Sequence, residues 1–373
     1  MKEASRLSEI STSMIRRMFE IVERAKKEGK EIISLTIGEP DFDTPPEVIE
    51  KACEAMKKGF THYTSNFGLE ELRELIAERY GVSAKNVMIT TGASEALINA
   101  SLAFIEEGSS VIIPSPNFIS YFTYAKMCKA KTIQIKTHDT NFNLDVDRFS
   151  ETMSKDVSVV FINYPNNPTG AVMGKEIKKI AEIAYDYGAI VISDEVYDSI
   201  YYDVKPQSLV EYENAVVINA FSKSLAMTGW RIGFVIAEEN LLDSMLKVHQ
   251  VNGVCAPAFA QKAVAEVLSD KTFEKIVDRM VSEFRKRRDF MISKLRKYFE
   301  VVKPEGAFYI FPNVGQDCMS FVEKLLSFGV AVTPGTPFGE WNNNYVRISY
   351  ATSMENLKKA VEKIGEFYDS QRT

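Results

Sequence analysis

Lys223 lies four residues past the end of the apolar run 216–219 and eight before Arg231. A lysine drawn in just beyond a buried strand loses hydration. That lowers its pKa and leaves a neutral amine able to attack an aldehyde and form a Schiff base. By itself such a lysine is more often a solvated loop residue; the surrounding sequence changes the balance. Gly92-Ala93-Ser94 opens a helical pattern directly after the run 87–90, where free N–H groups and the helix dipole favour an anion; an ordinary helix start fits these residues as well. Asp194 ends the run 190–193 and, alone, reads as a helix N-cap. Asn167 precedes Pro168, a common turn pairing. Phe118 alone reads as core, and Arg347, inside the strand-like 345–349, as an edge or surface residue.

Such residues need elements to bring them together. The runs 87–90, 111–114, 157–163, 190–193 and 216–219 read as strands, most of them separated by helical segments. Buried apolar strands alternating with helices predict a largely parallel α/β sheet. Ligands of such sheets bind beyond the carboxyl ends of the strands, where Asn163 onward, Asp194 and Lys223 all lie. Near the N-terminus Ile15, Met18 or Phe19, and Val22 recur at helical spacing. Thr44 and Glu47 have the spacing of a capping box, opening a helix to about Lys58. A second helix starts near Leu69. From Phe273 the residues Val277, Met280, Phe284, Met291 and Leu295 predict one long helix, a connector between domains. Beyond it, 306–309 and 345–349 read as strands of a smaller α+β domain.

The stretch Asn219-Ala220-Phe221-Ser222-Lys223-Ser224-Leu225-Ala226-Met227-Thr228-Gly229-Trp230-Arg231-Ile232-Gly233 closely resembles the pyridoxal-phosphate lysine motif of class I aminotransferases, especially the prokaryotic aspartate/aromatic branch. Four further motifs follow that family's order: Gly38-Glu39-Pro40-Asp41-Phe42, Asn166-Asn167-Pro168-Thr169-Gly170, Ser193-Asp194-Glu195-Val196-Tyr197 and Tyr345-Val346-Arg347-Ile348-Ser349. The resemblance covers nearly the whole chain. It implies a fold type I transferase: an α/β protein with a large domain built on a mostly parallel seven-stranded sheet and a smaller α+β domain. The expected division is 41–280 for the large, cofactor-binding domain and 1–40 with 281–373 for the small one.

The same resemblance implies roles. Lys223 would hold the aldehyde of pyridoxal 5'-phosphate and later shuttle a proton. Asp194 would keep the pyridine nitrogen protonated, so that the ring accepts electrons. Tyr197 and Asn167 would meet the phenolic oxygen, and Phe118 would stack on the ring. Gly92, Ala93, Ser94, Ser222 and Arg231 would hold the phosphate, joined by Tyr63 from the other subunit of a homodimer. Arg347, with Gly38 and Asn167 beside it, would bind the substrate carboxylate through two parallel hydrogen bonds, which a planar guanidinium permits and an ammonium does not. Two positions depart from the pattern. Ala220 stands where many relatives carry a phosphate-binding hydroxyl, with Ser222 or Ser224 as substitutes. Ser94 stands where some aspartate-specific relatives carry a lysine, so a distal carboxylate would need another partner; Arg16 and Arg17 are placed for it by sequence position.

Composition narrows the alternatives. The chain has 373 residues and a formal net charge of −6, so neither nucleic acid nor an anionic membrane is an expected partner. The basic run Arg285-Lys286-Arg287-Arg288 falls within the long helical pattern and reads as a solvated face. Four scattered cysteines suit reduced thiols in a cytoplasmic protein, and three separated histidines offer no metal spacing. The expected activity is transfer of an amino group from an amino acid (aspartate, aromatic or a broad range) to a 2-oxo acid such as 2-oxoglutarate. A carbon–sulfur lyase on the same scaffold would keep the same residues. A regulator with an aminotransferase-like sensor would need a DNA-binding module ahead of the motifs, where fewer than 40 residues stand.

Overall fold

The computed structural model describes residues 31–371 and, before them, Ala4, Leu7, Ile10, Glu20, Val22, Glu23, Arg24, Lys27 and Gly29. Val22 is helical and buried. Ile15, Met18 and Phe19, the other members of the expected N-terminal helix, lie outside the described residues, as do Arg16 and Arg17.

The described strands run in chain order as β1 (Ile33–Ser34), β2 (Val87–Thr90), β3 (Ser110–Ser115), β4 (Lys131–Lys136), β5 (Val157–Asn163), β6 (Ile190–Asp194), β7 (Ala215–Ala220), β8 (Gly233–Ile236), β9 (Tyr309–Ile310), β10 (Val330–Ala331), β11 (Thr333–Pro334) and β12 (Val346–Ser349). Seven of them form one sheet in the order β2-β8-β7-β6-β5-β3-β4. All its pairings are parallel except those of β8, which is antiparallel to both β2 and β7. Alternate residues feed opposite faces. Val160, Ile162, Val191 and Val217 enter one apolar cluster, while Val159, Phe161, Ile192, Val216 and Ile218 enter the other. Each such side chain, fully buried, contributes roughly 1.5–3 kcal/mol. Two strands of this sheet are not marked by the sequence pattern. β4 begins and ends on exposed lysines at the sheet edge. β8 is only four residues long and begins on the last residue of the lysine motif, Gly233.

A third apolar cluster joins β1, β9, β10 and β12 to the helices Cys318–Ser327 and Met354–Ser370. The helix Thr272–Leu295 links the clusters. Phe273, Ile276 and Val277 pack with the large sheet; Met280, Phe284, Met291 and Leu295 pack with the third cluster.

Two local expectations fail. The helix Pro46–Lys57 starts without a side-chain cap, and the Thr44 hydroxyl instead donates to the Ala226 carbonyl at 2.8 Å. The capping geometry yields to a tertiary bond that ties the chain beside the entrance loop to the lysine segment. The basic run is only half solvated. Arg287 and Arg288 are buried, paired with Asp41 at 2.6 Å and Asp203 at 3.2 Å respectively. A buried guanidinium requires such partners, and both acids come from distant sequence.

Candidate active site

The carboxyl ends of β5, β6 and β7 open into a cavity of about 370 Å³ bounded by Gly38, Ala93, Ser94, Phe118, Asn167, Asp194, Tyr197, Ser222, Lys223, Arg231 and Arg347 among others. Lys223 sits on the helical turn Phe221–Ser224, directly after β7. Its Nζ donates to the Gly38 carbonyl at 2.6 Å. Burial lowers its pKa to about 8, partly opposed by the Glu39 carboxylate.

Asp194 ends β6 and is buried. Loss of hydration raises its pKa to about 6, opposed by the Tyr121 hydroxyl and the Val196 N–H, both of which donate to it. The Tyr121 bond is 2.6 Å, and its ring stacks on Phe161 at 4.8 Å. Asp194 and Lys223 line the same cavity without forming an ion pair.

Arg347, on β12, is buried. One terminal nitrogen donates to the Asn167 side-chain oxygen at 2.9 Å and the other to the Thr36 carbonyl at 2.6 Å, while Nε has no partner. The Tyr197 hydroxyl lies 2.8 Å from that of Tyr309.

Gly92 precedes the helix Ala93–Phe104, which starts without a side-chain cap. At φ +77° it holds a backbone shape that favours glycine, and a Cβ there would meet the Arg231 guanidinium at 2.5 Å. Arg231, itself in the left-handed region at φ +59°, donates to the carbonyls of Thr228 and Thr91. No carboxylate pairs with it among the described residues. Uncapped N–H groups beside an unpaired guanidinium form an anion site. Of the two serines offered in place of the hydroxyl lost at Ala220, Ser222 lines this cavity and Ser224 faces away from it.

Tyr63, expected to act from the other subunit, is 86% exposed and does not line the cavity of its own chain. Close to Phe118 in sequence, Tyr121 bonds Asp194, and Phe122 and Tyr124 do not line the cavity. Three residues had no assigned role in the sequence: Tyr121 as the partner of Asp194, Tyr309 against Tyr197, and Glu39 beside Lys223. Only Glu39 falls inside a motif, so no spacing signal marked the two tyrosines. A larger groove of about 830 Å³ lies apart; of its four cations, Arg79, Lys178 and Arg285 are paired with Glu274, Glu211 and Asp203, and Lys205 is exposed.

Pyridoxal phosphate fits what the smaller cavity offers. A buried amine and a buried carboxylate line it without an ion pair between them, and the anion site and Arg347, whose Nε has no partner, line it as well. Fold and site together define the class, a fold type I enzyme dependent on pyridoxal phosphate. The sequence model of aminotransferase class I and II matches residues 30–364. The chain is 41% identical to a probable aspartate aminotransferase of Methanocaldococcus jannaschii, over 98% of this chain and 100% of that one. It is 38% identical to aromatic-amino-acid aminotransferase 2 of Thermococcus litoralis, over 97% of each. A solved aspartate aminotransferase from Thermus thermophilus with maleate superposes with a TM-score of 0.94 at 32% identity, covering 98% of this chain and all of the other. The chain belongs to the class I and II aminotransferases.

Proposed function

We propose that the enzyme takes amino groups from a broad set of amino acids, aromatic donors and aspartate among them, and delivers them to a 2-oxo acid such as 2-oxoglutarate. The observation that carries this reading is the cavity wall. Beyond Lys223, Arg231 and Arg347 it has no cation among the described residues, while Ile37, Leu97, Phe118 and Tyr309 give it apolar and aromatic surface. Relatives of similar identity bear aspartate and aromatic names.

When bound, pyridoxal phosphate supplies the aldehyde and the electron sink. The chain's own residues do the rest. Arg347 orients the substrate carboxylate. Lys223 would attach the cofactor and move the proton at the substrate α-carbon. Asp194 would hold a proton on the pyridine nitrogen. Tyr197 and Asn167 would hold the phenolic oxygen, and Phe118 would hold the ring. Gly92, Ala93, Ser94, Ser222 and Arg231 would hold the phosphate.

The test is a donor panel with 2-oxoglutarate. Aspartate, glutamate, tyrosine and phenylalanine should give kcat/KM values within about a hundredfold, ~2.7 kcal/mol of transition-state discrimination. An aspartate preference beyond that would reject the broad range. Release of pyruvate and ammonia without dependence on a keto acid would mark a lyase instead.

Arg347→Lys should lower kcat/KM by roughly a hundredfold or more, because an ammonium cannot make the paired bonds and leaves the Asn167 oxygen and Thr36 carbonyl short of a donor. Steady-state kinetics on a donor and on 2-oxoglutarate will show it in both half-reactions.

The reading includes a homodimer in which Tyr63 reaches the partner's phosphate site. Tyr63 (86% exposed) and Val251 (84%) lie on segments tied together by the Asn66 amide bond to the Val254 carbonyl at 2.7 Å, an apolar surface suited to a twofold contact. Sedimentation at assay concentration should find a dimer; a fully active monomer would refute it. A large domain of 41–280 and a small one of 1–40 with 281–373 belong to the same reading, supported by the separate third apolar cluster. So does a cytoplasmic location, supported by four free cysteines.

A further inference from the structure

Tyr309 lies on β9 and is fully buried, yet it reaches the cavity. Its oxygen is 2.8 Å from that of Tyr197. Its ring lies under the Arg347 guanidinium, 4.7 Å from ring centre to the guanidinium carbon. The backbone at Gly38 closes around the hydroxyl, since a Cβ there would come within 2.9 Å of it. Burial raises both phenol pKa values, so both oxygens keep their hydrogens at neutral pH.

Two neutral hydroxyls at this distance share one hydrogen bond, and its direction decides what the second hydrogen does. Arg347 has only N–H donors and offers no lone pair. Its positive charge turns the Tyr309 lone pairs toward it and the Tyr309 hydrogen away. The Tyr197 oxygen is the sole acceptor in reach of that hydrogen among the described residues. The Tyr197 hydrogen is then left free to point into the cavity.

We propose that Tyr309 is a positioning residue that donates to Tyr197 and so aims the Tyr197 hydrogen at the phenolic oxygen of the bound cofactor. This rests on the assignment of Tyr197 to that oxygen. A donor there draws negative charge away from the oxygen, which otherwise helps to hold a proton on the nearby Lys223 nitrogen. A hydroxyl that itself accepts a hydrogen bond is also a stronger donor. Removing Tyr309's hydroxyl therefore makes the lysine nitrogen harder to deprotonate.

The test is a pH titration of the cofactor's absorbance band in holoenzyme, for the wild type, Tyr309→Phe, Tyr197→Phe and the double variant. These changes remove one oxygen and keep the ring, and cofactor content per chain verifies each preparation. Tyr309→Phe should move the titration midpoint up by about one pH unit, the scale of a single hydrogen bond. In the Tyr197→Phe background the same change should move it by less than about 0.3 unit, since coupled residues are non-additive. An unmoved midpoint in Tyr309→Phe, or an equal shift in both backgrounds, would overturn the proposal in favour of packing beneath Arg347. A raised KM for the amino donor with an unmoved midpoint would do the same. A single variant at Tyr197 that leaves the midpoint in place would overturn the underlying assignment together with this one.

Discussion

Lys223→Ala should lower turnover by about ten-thousand-fold or more, the scale of losing both a covalent attachment and a positioned proton carrier. Its Nζ is buried and bonded only to the Gly38 carbonyl, and loss of hydration lowers its pKa to about 8. At neutral pH roughly a tenth of it is already the neutral nucleophile, against less than a thousandth for an ordinary lysine. Uptake of pyridoxal phosphate by the apoprotein should therefore quicken about tenfold per pH unit below 8 and level off above it. Borohydride should fix the label on the peptide containing Lys223. A label on any other lysine, or uptake indifferent to pH, would reject the assignment. Lys223→Arg should be as inactive as the alanine variant, because a guanidinium does not become neutral in a protein.

Asp194→Asn should separate activity from stability. Turnover should fall by roughly a thousandfold, ~4 kcal/mol, since a neutral amide cannot hold a proton on the pyridine nitrogen. The apoprotein should become more stable. Burial raises the Asp194 pKa from 3.8 to about 6, so the folded chain binds the proton more tightly than the unfolded chain. An acid shifted upward destabilises the fold above its folded pKa, and that cost disappears as pH falls below the unfolded value. At pH 7 the cost is about 3 kcal/mol. The asparagine oxygen still accepts from Tyr121, while the longer bond from the Val196 N–H, 3.3 Å to the other carboxylate oxygen, loses its acceptor at a cost of about 1 kcal/mol; the relief of the buried charge is larger, so the apo variant should melt higher than wild type at pH 7. The gain should shrink between pH 6 and 4. With cofactor bound the order should reverse, because a pyridinium would pair with the carboxylate and not with the amide. Equal melting temperatures at pH 7, or near-normal turnover, would contradict the role given to Asp194.

The strands that were legible in the sequence share one property. Val157–Asn163 and Ala215–Ala220 are apolar at almost every position because both faces of the sheet are covered. The edge strand Lys131–Lys136 has one open side, so its pattern resembles a loop. The long helix was visible because its apolar period persists over 24 residues, although it serves two clusters. Helix starts were less legible. Thr44 has the right neighbour for a cap but finds Ala226, 182 residues away.

By itself the sequence determined the motifs to which the chemistry is assigned and the order in which they come. Lys223, Asp194, Asn167, Arg231 and Arg347 each stand in a local motif, and such motifs are set by near-neighbour backbone demands: a strand end, a turn, the first turn of a helix. It also determined that strand ends would gather them, because alternating buried strands and helices admit few arrangements. Only the tertiary structure decided what each side chain touches. Asp194 takes its hydrogen bond from Tyr121, 73 residues away; Tyr197 meets Tyr309 across 112; Arg347 reaches Asn167 across 180 and Thr36 across 311. It likewise took Arg287 and Arg288 from an expected solvated face into the interior, where Asp41 and Asp203 meet them. Hydrogen-bond direction and charge pairing depend on separations of a few ångströms, and no periodicity in the chain encodes distances between residues so far apart.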